Sequence, residues 1–267
     1  MDLRKVKTVL ILLFAVLNVI LLTLLIRSFS TGRIDALVLK NAKVALTNNG
    51  VELKCPIPAA NPEIGIPEFA DTSYDTSAMS DLIKQLGPNS GITFNDDNSI
   101  VIYNIPDEKI SEIIKPAELD KYIAALLARF KINMSGFVQD SSITYENGKQ
   151  NLNYILKLAK DIYSYDCTAE MVISDTGIEY LKIKHLELVR TYDISPIIPA
   201  YQILMKNYNK GGTIINKIDL GFITYRLTGE SKNPSYTPVW RIISADGDEV
   251  SYYRAYTGEQ IFIYQAY

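Results

Sequence analysis

The residue types that carry most protein chemistry are scarce in this sequence. One histidine, His185, and two cysteines, Cys55 and Cys167, occur among 267 residues. This count excludes a Cys/His zinc site, an iron–sulfur cluster and any disulfide framework beyond one bridge. His185 would have to serve any Ser-His-Asp or Cys-His site alone, and it lies inside a regular strand pattern, LKIKHLELV. The pattern therefore favours a strand-edge or surface imidazole over a catalytic one.

Short motifs with a known chemical mechanism are also missing. The sequence contains no GxSxG, HExxH, Walker A or GxGxxG pattern. Residues 246–249 (DGDE) could suggest calcium, but they lack the twelve-residue spacing of an EF-hand, and Asp-Gly is first a turn signal. Cys55 and Cys167 could form a disulfide or remain two separate thiols, and the sequence leaves both open. We expect no catalytic residue, no cofactor and no metal.

One apolar segment near the N-terminus predicts a membrane anchor. Residues 8–26 (TVLILLFAVLNVILLTLLI) contain no charge, and nineteen helical residues can cross a hydrocarbon core of about 30 Å. A secretory signal would have a shorter apolar region and a small-x-small cleavage site, whereas RSFS follows here. Three basic residues precede the segment and Arg27 and Arg33 follow it, which favours a cytoplasmic N-terminus. We expect the rest of the chain outside the cytoplasmic membrane.

Two polar residues within this segment are candidates for contacts with a partner helix. Asn18 is an amide that is either tolerated in a Leu-rich helix or used in a hydrogen bond between helices, a bond worth about 0.6–2 kcal/mol in a membrane. Thr23 is the second candidate. The segment contains no GxxxG motif, so close packing through glycines is not expected.

The charge distribution bears on the partner. The whole chain has 27 basic and 30 acidic residues. Residues 1–33 hold five of the basic residues and one acid, so the remainder has 22 and 29, a net charge of −7. An acidic body argues against nucleic acid as the partner.

The remaining sequence predicts an α+β fold in which antiparallel sheets are each packed by a helix. Helices are predicted at 34–46, 117–130 and 200–209, and residues 55–78 are predicted to be a proline-rich connector. Turn residues predict hairpins around 95–98, 147–148, 175–177 and 246–247, with a further strand at 215–227. The predicted divisions are a cytoplasmic N-terminus at 1–7, the membrane helix at 8–26, a membrane-proximal region at 27–116, and two helix-plus-sheet units at 117–194 and 195–267.

Three short stretches near the C-terminus, together with the N-terminal organisation, resemble a known family. Residues 46–58 (LTNNGVELKCPIP) are similar to the opening of YycI-type and YycH-type proteins. Residues 218–222 (IDLGF), 238–242 (PVWRI) and 253–259 (YRAYTGE) resemble the ending of YycI, which is also a PepSY-like arrangement of a helix on strands. The signature residues taken from this resemblance are Gly221, Pro238, Trp240, Arg241, Ala255, Thr257 and Gly258. We expect Trp240 to be buried and Gly258 to adopt a positive φ.

The resemblance implies a function and partners. YycI-type and YycH-type proteins are single-pass membrane regulators that associate with each other and with a sensor histidine kinase of the WalK type, which governs cell-wall metabolism. The resemblance therefore implies that this chain is a non-enzymatic regulator of such a kinase. Its implied partners are the kinase, a YycH-like protein and the membrane. Two alternatives remain: a PepSY-type module that restrains a cell-surface peptidase, and an exported protein that binds a wall polymer or small ligand.

Overall fold

The described chain contains five α-helices and thirteen strands, so the predicted mixed α+β class is confirmed. The computed structural model describes residues 3–30, 34–59, 63–107, 109–110, 116–144, 148–208, 211–225, 235–244 and 249–262. The helices are α1 (Leu3–Ser30), α2 (Ala36–Asn48), α3 (Thr76–Lys84), α4 (Pro116–Ala128) and α5 (Ala200–Asn207). The strands are β1 (Val51–Leu53), β2 (Glu63–Asp71), β3 (Gly91–Phe94), β4 (Ser99–Pro106), β5 (Phe137–Thr144), β6 (Gln150–Ala159), β7 (Ile162–Ser174), β8 (Gly177–Lys184), β9 (Leu186–Pro196), β10 (Thr213–Tyr225), β11 (Ser235–Ser244), β12 (Val250–Arg254) and β13 (Gln260–Ile261).

Helix α1 contains the whole apolar segment, so the helical conformation predicted for 8–26 is confirmed. Side chains of α1 are described at residue 7 and over 11–23. Within the described residues, no helix has both the length and the apolar character needed to span a membrane. The membrane-spanning role of 8–26 stays a prediction.

The sheet of the C-terminal unit is continuous with the sheet before it. Strand β10 pairs antiparallel with β11 on one edge, and on its other edge it pairs in parallel with β1 and with the start of β7. The result is one eleven-stranded sheet in place of separate antiparallel sheets. The edge of an unpaired strand leaves backbone N–H and C=O groups without hydrogen-bond partners. The pairing of β7 with β10 gives partners to backbone groups that two separate sheets would leave exposed.

Each half of the sheet is packed by a helix, as predicted. Ile123 and Leu127 of α4 lie in an apolar cluster with buried residues of β4, β6, β7 and β8. Ile203 and Leu204 of α5 lie in a second cluster with buried residues of β10, β11 and β12, to which α2 contributes Leu46. The regular spacing of apolar residues along α4 and α5 explains why the sequence predicted both helices.

The prediction that residues 55–78 form a connector is wrong for 63–71 and 76–78. Residues 63–71 form β2, which pairs antiparallel with β9 in a separate two-stranded sheet. Helix α3 then begins at Thr76, where the Asp75 carboxylate accepts a hydrogen bond of 3.1 Å from the Ala78 N–H. The prolines of this region suggested a loop, but proline is tolerated in an edge strand such as β2 because its ring removes only one ladder hydrogen bond.

The strand pairing of the predicted hairpins is confirmed. Strands β3 and β4, β5 and β6, β7 and β8, and β11 and β12 pair antiparallel. The strand predicted through His185 is divided there into β8 and β9, which pair with different partners. Asn147 and residues 246–247 of the predicted turns lie outside the described residues.

Candidate functional site

The two polar candidates of α1 form hydrogen bonds within their own helix. The Asn18 amide Nδ2 donates to the Phe14 carbonyl at 2.8 Å. The Thr23 hydroxyl donates to the carbonyls of Val19 and Ile20, the latter at 3.1 Å. Such bonds to a carbonyl three or four residues earlier are the usual way for a helix to satisfy a polar side chain in an apolar setting. Both side chains are exposed on the isolated chain.

Trp240 joins the sheet to the segment before α5. Its side chain is 1% exposed, which confirms the predicted burial, and its Nε1 donates to the Ile198 carbonyl at 2.7 Å. The Ile198 N–H in turn donates to the Ala255 carbonyl, and the Ala255 N–H donates to the Pro238 carbonyl, both at 2.8 Å. These four residues therefore link β11, the turn after β12 and the start of α5 into one connected network.

The turn at Thr257 and Gly258 closes this unit against α5. Gly258 has φ +70°, as predicted, and its N–H donates to the Arg254 carbonyl at 2.8 Å. A Cβ on Gly258 would lie 3.0 Å from Cδ1 of Ile203 on α5. Lys206 of the same helix donates to the Thr257 carbonyl at 3.4 Å. The positive φ and the closeness of α5 both favour glycine at this position.

Gly221 lies beneath an aromatic ring of the neighbouring strand. A Cβ at this position would lie 2.5 Å from the Tyr163 carbonyl and 2.6 Å from Cε2 of Tyr165. Non-bonded heavy atoms do not approach a Cβ that closely, so only glycine lets β10 and the start of β7 pair while the Tyr165 ring covers the strand. This explains the signature glycine of β10 as a matter of packing.

Arg241 is the centre of a buried ionic cluster. Its side chain is 4% exposed, and its two terminal nitrogens donate to the two carboxylate oxygens of Asp140 at 2.6 and 2.7 Å. Nη2 also donates to Asp219 at 2.5 Å. Lys217 donates to Asp140 at 2.8 Å and lies 3.3 Å from Asp219. We call Asp140, Lys217, Asp219 and Arg241 the ionic cluster.

The electrostatics of the ionic cluster favour the charged forms of Asp140 and Arg241. Burial alone would raise the pKa of Asp140, but the hydrogen bonds and positive charge of Arg241, followed by those of Lys217, lower it below its usual value. Burial would lower the pKa of Arg241, yet the two carboxylates raise it further above its usual value. The guanidinium also lies over the Tyr165 ring, 4.5 Å from its centroid, in a cation–π contact.

The ionic cluster joins three strands rather than activating a reactive group. Two carboxylates are balanced by one guanidinium and one ammonium, so neither carboxylate is free to act as a general base. Its members come from β5, β10 and β11, which belong to the two different predicted units. Sequence analysis selected Arg241 but missed Asp140, Lys217 and Tyr165, because no local pattern relates a charge on β5 to one on β11 about one hundred residues later.

The remaining reactive residue types lie apart from the ionic cluster. His185 is half-buried at the break between β8 and β9, its ring 5.6 Å from that of Phe137, and burial lowers its pKa. Cys167 is buried and Cys55 partly so, and both thiols are free, which decides against the disulfide alternative. Among the described residues, no three His, Cys, Asp or Glu side chains are grouped so that they could hold a metal ion.

Comparison with known proteins adds limited information. No protein-family model and no curated protein matches the sequence. Among solved structures, the chain is similar to an uncharacterized protein from Eubacterium rectale, with a TM-score of 0.47, 13% identity and coverage of 84% of this chain and 99% of that one. It is also similar to the C-terminal domain of Bacillus megaterium YpeB, with a TM-score of 0.39, 12% identity and coverage of 85% and 96%. At these scores neither likeness carries a conclusion about fold or function.

Proposed function

We propose that this chain is a non-enzymatic regulator of a sensor histidine kinase of the WalK type, held at the membrane by α1. In this proposal residues 1–7 are cytoplasmic, and the chain after α1 lies outside the cytoplasmic membrane. The regulator acts through contacts of α1 and of the exported sheet with the kinase and with a YycH-like partner. The family resemblance of the sequence is the source of the kinase assignment.

The observation that carries the proposal is the exposed apolar surface of α1. Ten large apolar side chains between Ile11 and Leu22 are 48–70% exposed on the isolated chain. A continuous apolar surface of this kind requires a cover, and soluble proteins seldom leave one open to water. Lipid or the helix of a partner protein supplies that cover in a membrane protein.

The chemistry of the described residues is consistent with regulation by binding. Its most buried charged groups are paired with one another in the ionic cluster and are committed to holding strands together. A protein that regulates by binding influences a partner through the difference in its affinity for two states of that partner. A preference of about 1.4 kcal/mol for one kinase state changes the odds of that state tenfold.

Reconstitution tests the proposal directly. The full-length chain is placed in nanodiscs with a WalK-type kinase, and kinase autophosphorylation is measured with and without it. We expect the chain to change the autophosphorylation rate, and we expect the change to disappear when residues 8–26 are replaced by an unrelated apolar helix. An autophosphorylation rate that stays the same on addition of the wild-type chain would contradict the proposal.

A second candidate is restraint of a cell-surface peptidase by the C-terminal unit. Helix α5 is followed by the antiparallel strands β10, β11 and β12, and the turn at Gly258 packs on α5. This is the order of elements that a PepSY-like unit implies. The helix replacement separates the candidates, since inhibition of a peptidase by exported strands would survive it, whereas control through α1 would not.

A further inference from the structure

One edge of β10 is left open between two strands that pair with it. Strand β1 pairs with β10 as far as Ile215, where the Lys54 N–H donates to the Ile215 carbonyl at 2.9 Å. Strand β7 pairs with β10 only from Leu220 onward. Over residues 216–219, no described strand lies on this edge. At about 3.3 Å per residue, the open stretch is roughly 13 Å long.

The sequence itself prevents β1 from continuing along this edge. Pro56 and Pro58 follow the last paired residue, and proline has no N–H to donate to a neighbouring strand. On the other side, β7 begins only after the turn at Asp161, which has φ +58°. The opening in the sheet is therefore bounded by a proline segment at one end and by a tight turn at the other.

A cleft of about 770 Å³ lies at this opening. Pro56, Pro58 and Ala59 form one wall, Ile162 and Tyr163 form another, and the lining also includes Trp240. The volume falls in the range of about 300–1,000 Å³ that is usual for sites that bind small molecules. It is therefore large enough for a few residues of extended chain.

The open stretch of β10 presents two chemically different faces. Ile218 is buried in the apolar cluster that contains Trp240, whereas Lys217 and Asp219 belong to the ionic cluster on the opposite face. Side chains of a strand alternate between the faces of a sheet. A strand placed beside 216–219 would therefore meet apolar surface with every second side chain and paired charges with the others.

We propose that this cleft binds a short extended peptide, which adds to the sheet as a strand beside residues 216–219. Main-chain hydrogen bonds to β10 would hold the peptide, and the two faces would select a sequence in which aliphatic and charged residues alternate. Because both charges nearest the cleft on β10 are already paired, the peptide preferred here has both charge signs and no large net charge. This proposal does not depend on the kinase assignment.

Trp240 gives a direct measurement, because it is the single tryptophan of the chain and it lines the cleft. The full-length chain in nanodiscs is titrated with acetyl-Val-Glu-Val-Lys-amide while Trp240 fluorescence is recorded. We expect a saturable change. Methylation of alternate backbone amides of the peptide removes the edge hydrogen bonds and should weaken binding by about tenfold or more. Equal binding of the methylated peptide, or no saturable change, would overturn the proposal.

A variant pair and a second readout keep the test independent of folding. Ala59→Phe places a ring in the cleft wall, while Ala70→Phe adds the same ring at an exposed position at the end of β2, away from the cleft lining. We expect Ala59→Phe to abolish the fluorescence change and Ala70→Phe to retain it, with equal thermal melts. The peptide should also slow alkylation of the cleft thiol Cys55 in the wild type. Unchanged alkylation of Cys55 at a saturating peptide concentration would contradict binding in this cleft.

Discussion

At the scale of single residues, the clearest prediction concerns Gly221. Replacing Gly221 with alanine puts a carbon 2.5 Å from the Tyr163 carbonyl and 2.6 Å from the Tyr165 ring. The Tyr165 ring would have to move away from Arg241, which lies on its face. We expect Gly221→Ala to lower the free energy of unfolding by about 1–3 kcal/mol, as overpacking of a dense core does. Urea unfolding followed by circular dichroism measures this loss.

Gly91 supplies the control for that variant. It also lies in a strand, its φ is not positive, and a Cβ there would find its nearest neighbour, Cδ2 of Tyr103, at 4.0 Å. Gly91→Ala should therefore stay within about 0.5 kcal/mol of the wild type. If both alanine variants lose the same stability, the packing explanation of Gly221 is wrong.

Replacing Arg241 should lower the free energy of unfolding by more than replacing an exposed charged residue does. Arg241→Met leaves Asp140 and Asp219 close together and largely buried without the guanidinium that bonds both. We expect a loss of about 3–5 kcal/mol at pH 7, the usual cost of breaking a buried ion pair from one side. Urea unfolding at pH 7 measures it. Exposed Lys84→Met, which removes only a 4.0 Å contact to Asp81, is the control and should change little.

The ionic cluster also predicts how stability depends on pH. The pKa of Asp140 is lowered in the folded state, so its charge stabilises the fold above the ordinary pKa of about 4 and this contribution is lost as the pH falls through the lowered value. Asp140→Asn should therefore be less stable than the wild type at pH 7, and the difference should shrink below about pH 4. Urea unfolding of both proteins across this range measures it, and a difference that is constant with pH would contradict it.

At the residue level, local rules predicted backbone conformation and side-chain burial, but they did not predict which side chains form ion pairs with each other. Trp240 was predicted to be buried because a lone tryptophan in a strand pattern packs against the core, and Gly258 was predicted to have a positive φ because it ends a strand. The partner of Arg241 could not be predicted. Asp140 lies 101 positions earlier on a strand whose polar residues give no sign of which face is covered. Only the sheet order brings the two together.

At the scale of elements, the turn at Gly258 fixes α5 to the sheet. Gly258→Val introduces a branched side chain at φ +70° and directly against Ile203 of α5. We expect a loss of about 1–3 kcal/mol from backbone strain, with faster amide exchange in α5. Gly212→Val is the matched control, since Gly212 has φ +91° but nothing within 4 Å of its Cβ position. It should lose stability without faster exchange in α5.

Elements with local signals were predicted well, and elements that depend on distant pairing were not. Turn residues and apolar spacing were sufficient for α2, α4, α5 and the described hairpins. Strand β2 was missed because its prolines suggest a loop, and its strand conformation depends on β9, more than one hundred residues later. The division of one predicted strand at His185 has the same cause, because β8 joins the main sheet while β9 pairs with β2.

At the scale of the whole molecule, one continuous sheet makes the two predicted units mechanically connected. The contact between β7 and β10 and the ionic cluster across β5, β10 and β11 both cross from one unit to the other. These contacts tie strands of one predicted unit directly to strands of the other within a single sheet. Helix α2 begins six positions after α1 ends, so it is the element through which the sheet and α1 would influence each other.

Asn18 is the residue of α1 for which a regulatory role is most directly testable. Its carboxamide has two N–H groups and one carbonyl, and the bond to the Phe14 carbonyl uses one N–H, so the group retains capacity for a bond to a second helix. Such a bond is worth about 0.6–2 kcal/mol in a membrane, enough to change the odds of two kinase states severalfold. Under the proposed function, we expect Asn18→Leu to weaken control of a WalK-type kinase in nanodiscs while the eleven-stranded sheet keeps its thermal melt.

Thr23→Val is the matched variant on the same helix. The Thr23 hydroxyl already donates to backbone carbonyls of α1, and its single hydrogen leaves no donor for a partner, so this substitution should change kinase control less than Asn18→Leu does. Kinase autophosphorylation measured for both variants beside the wild type decides the question. Equal control by wild type and Asn18→Leu would remove Asn18 from the mechanism. If replacement of the whole of 8–26 also left control unchanged, regulation would have to act through the chain after α1 alone, since α1 would then contribute nothing that distinguishes one kinase state from the other.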